Sequence, residues 1–220
     1  MNLTLKESLV TRSRVFSPWT AFYFLQSLLI NLGLGYPFSL LYTAAFTAIL
    51  LLLWRTLPRV QKVLVGISSL VAACYFPFAQ AYGAPNFNTL LALHSTNMEE
   101  STEILTIFPW YSYLVGIFIF ALGVIAIRRK KESEKARWNT FDSLCLVFSA
   151  ATFFVAPVQN LAWGGVFKLK DTGYPVFRFA KDVIVNNNEV IEEQERMAKL
   201  SGMKDTWTVT AVKPKYQTYV

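Results

Sequence analysis

Charge is scarce in this chain. Asp, Glu, Lys and Arg make up only 16% of its 220 residues, against about 25% in a soluble domain. Cysteine is scarcer: Cys74 and Cys145 are the only two, each in an apolar stretch with no flanking His or Cys. That usage excludes a disulfide-stapled secreted scaffold and reads as small packed hydrophobes. His94 is the sole histidine, and one histidine does not make a metal site. No Walker-type phosphate loop, GxSxG or HExxH occurs. What the chain does have is apolar: 54% hydrophobic and 15% aromatic, with a mean hydropathy of +0.36. This composition excludes a disordered chain and a coiled coil and points to a membrane protein. The net charge of +7 would suit a nucleic acid, but its basic residues cluster beside apolar spans, so no nucleic-acid partner is expected.

Charge-free runs locate the spans. Val15 to Trp54 is 40 residues without a charge, broken in the middle by Gly33, Gly35 and Pro37. A helix crossing a bilayer core of ~30 Å needs about 20 residues, so this run holds two. We expect an all-α membrane protein with five transmembrane helices at about 16–34, 38–54, 63–79, 108–127 and 144–161 within a domain of 1–163. The basic start (Lys6, Arg12, Arg14) leads into an apolar run too long for a cleaved signal peptide, with no small-x-small site after it.

Lys and Arg set the orientation. The amino-terminal segment, the 55–62 link and the 128–137 link carry twelve basic residues, and the connections 35–37 and 80–107 carry none. The amino terminus is therefore expected in the cytoplasm and the carboxyl-terminal segment in the periplasm of a two-membrane bacterium. Trp19, Tyr36, Trp54, Trp110, Tyr111, Tyr113, Trp138 and Trp163 fall near span ends as an aromatic belt would. Gln26, Asn31 and Gln159 are the amide side chains in or near spans, expected to bond between helices.

Residues 164–205 read as a periplasmic juxtamembrane helical linker. It would comprise a helix over 176–185, a break at Asn186 to Asn188, and a second, charge-rich helix from Glu189 to Leu200 that ends at Gly202. Thr206 to Val212 and Tyr216 to Val220 are rich in Thr, Val, Tyr and Trp, which reads as strand. Two strands are marginal alone, so 206–220 is expected to open a larger α/β periplasmic domain absent from this chain.

The most informative stretch is Tyr82 to Leu105. Asn86 or Asn88 suits the start of a short helix through Leu93, and Thr96-Asn-Met-Glu99 has capping-box spacing. Glu99, Glu100 and Glu103 then have two readings. They are solvated first-turn carboxylates that favour a helix start, or they form an anionic site for a lipid headgroup ammonium. In the second reading Thr96 and Asn97 add neutral hydrogen bonds. The stretch has no Lys or Arg, so it would hold a phosphate poorly.

The five-helix layout, the Tyr82-Gly-Ala-Pro85 start and the run Ser95-Thr-Asn-Met-Glu-Glu-Ser-Thr-Glu-Ile-Leu105 resemble the membrane domain of bacterial phosphoethanolamine transferases. These belong to the alkaline phosphatase/sulfatase-like superfamily. Tyr216 to Val220 resembles the opening of their catalytic domain, and the whole chain is most similar to the members that decorate osmoregulated periplasmic glucans. The resemblance implies a parent enzyme that takes phosphoethanolamine from phosphatidylethanolamine with a threonine nucleophile and zinc. Both would lie in the catalytic domain beyond this chain, which is expected to be inactive alone. It implies that the headgroup glutamate is Glu100, beside Thr96 and Asn97. An asparagine used by some lipid A-modifying members falls on Ala92. The implied partners are phosphatidylethanolamine, membrane lipids, the catalytic domain and a glucan acceptor. A different class of reading, a non-enzymatic inner-membrane scaffold or transporter-like protein, stays open on the residues alone.

Overall fold

A computed structural model describes residues 18–96, 103, 106–129, 140–163 and 172–202. Among them are seven helices: α1 (Pro18–Gly33), α2 (Leu40–Thr56), α3 (Pro58–Tyr82), α4 (Phe87–Ser95), α5 (Trp110–Arg128), α6 (Thr140–Ala162) and α7 (Pro175–Gly202). Each of the five expected apolar stretches is helical. By length and composition, α3, α5 and α6 can cross a membrane, and α2 is a shorter apolar helix. Expectations for Lys6, Arg12 and Arg14, Asn97, Glu99 and Glu100, Trp138 and the strands of 206–220 fall outside the described residues.

Proline sets two helix starts. Pro58 and Pro175 are first residues, where the missing N–H has no intrahelical partner to lose. Because α3 begins at Pro58, Arg59 and Lys62 lie on the helix rather than in a link, and only Leu57 separates it from α2. The end of α1 is a Schellman turn. Gly35 takes φ +80°, its N–H bonds to the Leu32 carbonyl, and the Tyr36 N–H bonds to Asn31. A Cβ on Gly35 would also stand 2.4 Å from the Gly83 backbone, so glycine is required twice over at this position.

The helices pack through small residues. Gly116 and Gly123 of α5 lie against Ala73 and Ser69 of α3, and Gly33 of α1 lies against Ala72. Pro77 inside α3 removes the N–H that would bond to the Ala73 carbonyl. That carbonyl is the one Gly116 approaches, with an ideal Cβ position 2.7 Å from it. Polar side chains inside the bundle pair with each other. Gln26 Nε2 donates to Ser69 Oγ at 3.1 Å, Asn31 Nδ2 to Thr43 Oγ1 at 3.0 Å, and Thr47 Oγ1 to Ser27 Oγ at 3.2 Å. These are the interhelical amide bonds expected of Gln26 and Asn31. Gln159 departs from that expectation and is exposed on α6. Cys145 is buried, whereas Cys74 is exposed on α3 rather than packed inside.

The ends of the helices meet in two groups. At one end, the Arg129 guanidinium after α5 lies over Trp19 (4.1 Å) at the start of α1 and Trp54 (3.6 Å) near the end of α2. There also, Arg55 Nη1 of α2 pairs with Asp142 Oδ1 of α6 at 2.5 Å, and Gln61 of α3 bonds to Tyr23 of α1. At the other end are Tyr36 after α1, Gly83 after α3 and Phe108 before α5. Successive bundle helices therefore run in alternating directions.

One expectation is corrected here. The linker does not break at Asn186 to Asn188; α7 is continuous for 28 residues. Asparagine favours turns when its side chain competes for nearby backbone. Here Asn186 Nδ2 donates to its own helix at Asp182 O (2.6 Å) and to Pro85 O (3.4 Å), and Asn187 Oδ1 pairs with His94 Nε2 at 2.8 Å. Tertiary contacts thus occupy the groups that would otherwise end the helix.

Candidate lipid-headgroup face

The face is built at the Tyr36 end of the bundle. Gly83, at φ +72°, turns the chain out of α3, and its carbonyl accepts from Tyr75 Oη at 3.0 Å. Asn86 then caps α4, its Oδ1 accepting the Thr89 N–H at 3.0 Å, so of the two candidate caps Asn86 is the one used. α4 ends at Ser95, and Thr96 is its C-cap in extended backbone, φ −77° and ψ 128°. The Thr96 hydroxyl donates to the Ala92 carbonyl at 2.6 Å, back along α4. Of the three headgroup residues expected from sequence, the structure therefore places Thr96, whose hydroxyl proton is engaged by its own helix. Asn97 and Glu100 lie outside the described residues. Glu103 is helical and exposed.

α7 is fastened across this end. Tyr174, just before it, is buried, and its hydroxyl donates to the Ser149 carbonyl at 2.8 Å. Its ring packs edge-on to Tyr42 at 5.9 Å. Burial pushes the Tyr174 phenol up to about 12. Gly173 has to be glycine because a Cβ there would overlap the Tyr42 ring. One turn on, Phe179 meets the Tyr75 ring edge-on at 5.0 Å. Further along, Val190 is fully buried, beyond the Asn186 and Asn187 contacts to the α3–α4 turn and α4.

Between these anchors lies a charged group that the sequence reading missed. Tyr36 Oη donates to Asp182 Oδ2 at 2.8 Å. Burial raises the Tyr36 phenol above its ordinary range, and the bonded Asp182 carboxylate raises it further, so the phenol stays a proton donor. Arg178 and Lys181 flank the same carboxylate at 3.6 and 3.7 Å, and the Arg178 guanidinium lies 5.0 Å from the Tyr36 ring centroid. The Arg178–Asp182 spacing, i to i+4, is visible in the sequence. That Tyr36, 146 residues away, completes the group is not. Tyr36 is also buried rather than facing lipid as a belt residue, unlike Trp110 and Trp163, which are exposed.

Among the described residues the arrangement offers a phenol donor, a carboxylate and two cations, and no activated nucleophile. No three His, Cys, Asp or Glu side chains converge as metal ligands among the described residues, so these residues do not fit zinc. No family model and no solved structure matches the chain. The chain is 98% identical over all 220 of its residues to the phosphoethanolamine transferase OpgE of Escherichia coli (strain K12), and it spans 42% of that protein's length, so what it matches is part of a phosphoethanolamine transferase.

Proposed function

We propose that this chain is the membrane-anchoring and lipid-donor-access portion of a phosphoethanolamine transferase. The whole protein would move phosphoethanolamine from phosphatidylethanolamine to a periplasmic acceptor, the osmoregulated periplasmic glucans. The observation that carries the reading is the 98% identity, end to end, with a protein of that activity. The apolar helices α3, α5 and α6 support the anchoring role. The alternating helix directions support five crossings, with the Arg55, Arg59, Lys62 and Arg129 end in the cytoplasm and the Tyr36 end in the periplasm. Zinc and the threonine nucleophile belong to the rest of the enzyme.

In this scheme the donor lipid reaches the protein laterally, in the leaflet at the Tyr36 end. The segment after Thr96 receives its ammonium, with Glu100 as the charge partner and Asn97 and Thr96 beside it. A carboxylate in a segment free of Lys and Arg favours a primary ammonium over other headgroups.

The test is Glu100→Gln in the whole enzyme, expressed in cells lacking their own copy. Phosphoethanolamine on extracted glucans, read by mass spectrometry, should fall at least about tenfold, the loss of one charge-assisted contact. Membrane levels of the protein should stay constant. Unchanged glucan modification would remove Glu100 from the reading. Reporter fusions after residues 57, 83 and 202 check the topology, with the first cytoplasmic and the other two periplasmic.

A further inference from the structure

At the Trp19 end of the bundle, a set of buried polar groups does not satisfy itself. Tyr23 of α1 is fully buried, and its hydroxyl receives two donors. The Gln61 amide of α3 reaches it at 3.3 Å, and the Arg129 guanidinium after α5 bonds to it as well. Neither donating nitrogen can take the phenol's own proton in return. Gln61 is itself 0% exposed, and its carbonyl oxygen Oε1 has no hydrogen-bond partner. Arg129 Nη1 is buried and has none either. Among the described residues it is the sole nitrogen in that condition, and it shares Tyr23 with an oxygen in the same condition.

The neighbours do not resolve this. The indole rings of Trp19 and Trp54 lie against the guanidinium at 4.1 and 3.6 Å. They give it π contact but no hydrogen-bond acceptor, because an indole N–H only donates. Turning the Gln61 amide over does not help. Its oxygen would then take the phenol proton, but its NH2 group would be stranded and Arg129 Nη1 would stay unpaired. Buried polar groups in an apolar setting are nearly always paired, with protein or with ordered water.

The chemistry of the missing partner follows from the groups that face it. A cation is repelled by the guanidinium. An anion would meet Gln61 Oε1, which can only accept. A small neutral molecule that both accepts and donates suits all three. It would accept from Arg129 Nη1 and from Tyr23 Oη, and donate to Gln61 Oε1. Those are about three hydrogen bonds, the usual number for a buried water.

We propose that Tyr23, Gln61 and Arg129 form a binding site for one internal water, which ties α1, α3 and the end of α5 together. The proposal is independent of the donor lipid, of the role given to Glu100 and of which side of a membrane this end faces.

The experiment is X-ray radiolytic footprinting of the full-length protein in detergent micelles, with oxidised residues located by mass spectrometry. A short X-ray pulse makes hydroxyl radicals from water where it stands, so a side chain touching a held water is oxidised even where bulk solvent does not reach. Tyr174 is the comparison. It is also a tyrosine and is 1% exposed, but its hydroxyl is paired with the Ser149 carbonyl at 2.8 Å. Tyr23 should be oxidised at least about fivefold faster than Tyr174, as befits a side chain with its own bound water. Methionine amide, a radical scavenger in the bulk solvent, should slow oxidation of the exposed Tyr82 and leave that of Tyr23 unchanged. Gln61→Leu removes the acceptor and puts hydrocarbon in its place, so Tyr23 should fall toward the rate of Tyr174.

Equal rates for Tyr23 and Tyr174 in wild type would overturn the proposal. So would a scavenger effect on Tyr23 as large as that on Tyr82, because the radicals would then come from bulk solvent. An unchanged Tyr23 rate in Gln61→Leu would overturn the assignment of Gln61 to the site. If Gln61→Leu does not fold, the Tyr23–Tyr174 comparison and the scavenger result on wild type still decide.

Discussion

Replacing Gly116 or Gly123 with alanine should part α3 from α5. An ideal Cβ at Gly116 would stand 2.7 Å from the Ala73 carbonyl oxygen, and one at Gly123 2.6 Å from Ser69 Cβ. Ordinary contact begins at 3.4 Å, so each methyl demands roughly 0.7 Å of separation between two helix backbones. Overpacking of this kind costs about 1–3 kcal/mol, and close backbone approach is a main source of association between helices in lipid. At ~2 kcal/mol the unfolding midpoint falls by about 4–8 °C for a chain of this size. Helix propensity pushes the other way, since alanine gains up to about 1 kcal/mol over glycine, so a fall can only come from the contact. Gly66→Ala is the internal control. Its Cβ would meet only the tip of Ile127 at 3.1 Å, which can rotate, so its midpoint should hold or rise. Thermal melts in detergent micelles, followed by near-UV circular dichroism, give the comparison. The reasoning fails if Gly116→Ala and Gly123→Ala melt with wild type, or if Gly66→Ala drops as far as they do.

Asp142→Asn should cost about 2–3 kcal/mol. That is below the ~3–5 kcal/mol of a fully buried pair, because the Arg55 side chain keeps 17% exposure against 3% for Asp142; chemical denaturation in mixed micelles measures it, and a change under 0.5 kcal/mol would refute it. In alkali, α7 should come loose from the bundle. Folded Tyr174 holds its proton to about 12 against an ordinary 10.0, so its contribution is whole below about pH 10 and is lost as pH rises through the folded value. Tyrosinate absorbance should show a late-titrating amplitude that Tyr174→Phe reduces by one tyrosine, and identical titrations of the two proteins would contradict the assignment.

Much of the bundle was legible in the sequence, because a helix in an apolar setting needs only an uninterrupted run of charge-free residues, and Val15 to Trp54 announces itself. Gln26 and Asn31 were legible for a related reason, since an amide inside such a run has nowhere to bond but a neighbouring helix. A cap at Asn86 or Asn88 followed from local backbone chemistry, and the fold chooses Asn86. What stayed hidden depends on partners far along the chain. The asparagine run 186–188 reads locally as a breaker, and only Pro85 and His94, about a hundred residues earlier, turn it into part of a helix. Tyr36 reads as an interfacial aromatic until Asp182 is placed against it. Of the three residues of the expected site only Thr96 is placed, and its hydroxyl turns back to Ala92.

The unbroken run of α7 has a mechanical consequence. Twenty-eight residues at 1.5 Å each give a rod about 42 Å long, gripped at Tyr174, Phe179, Asn186, Asn187 and Val190. The stretch 191–200 that follows, about 15 Å of helix, is largely exposed. The bundle thus holds the first part of the rod, and the second part stands out from it as a stiff arm.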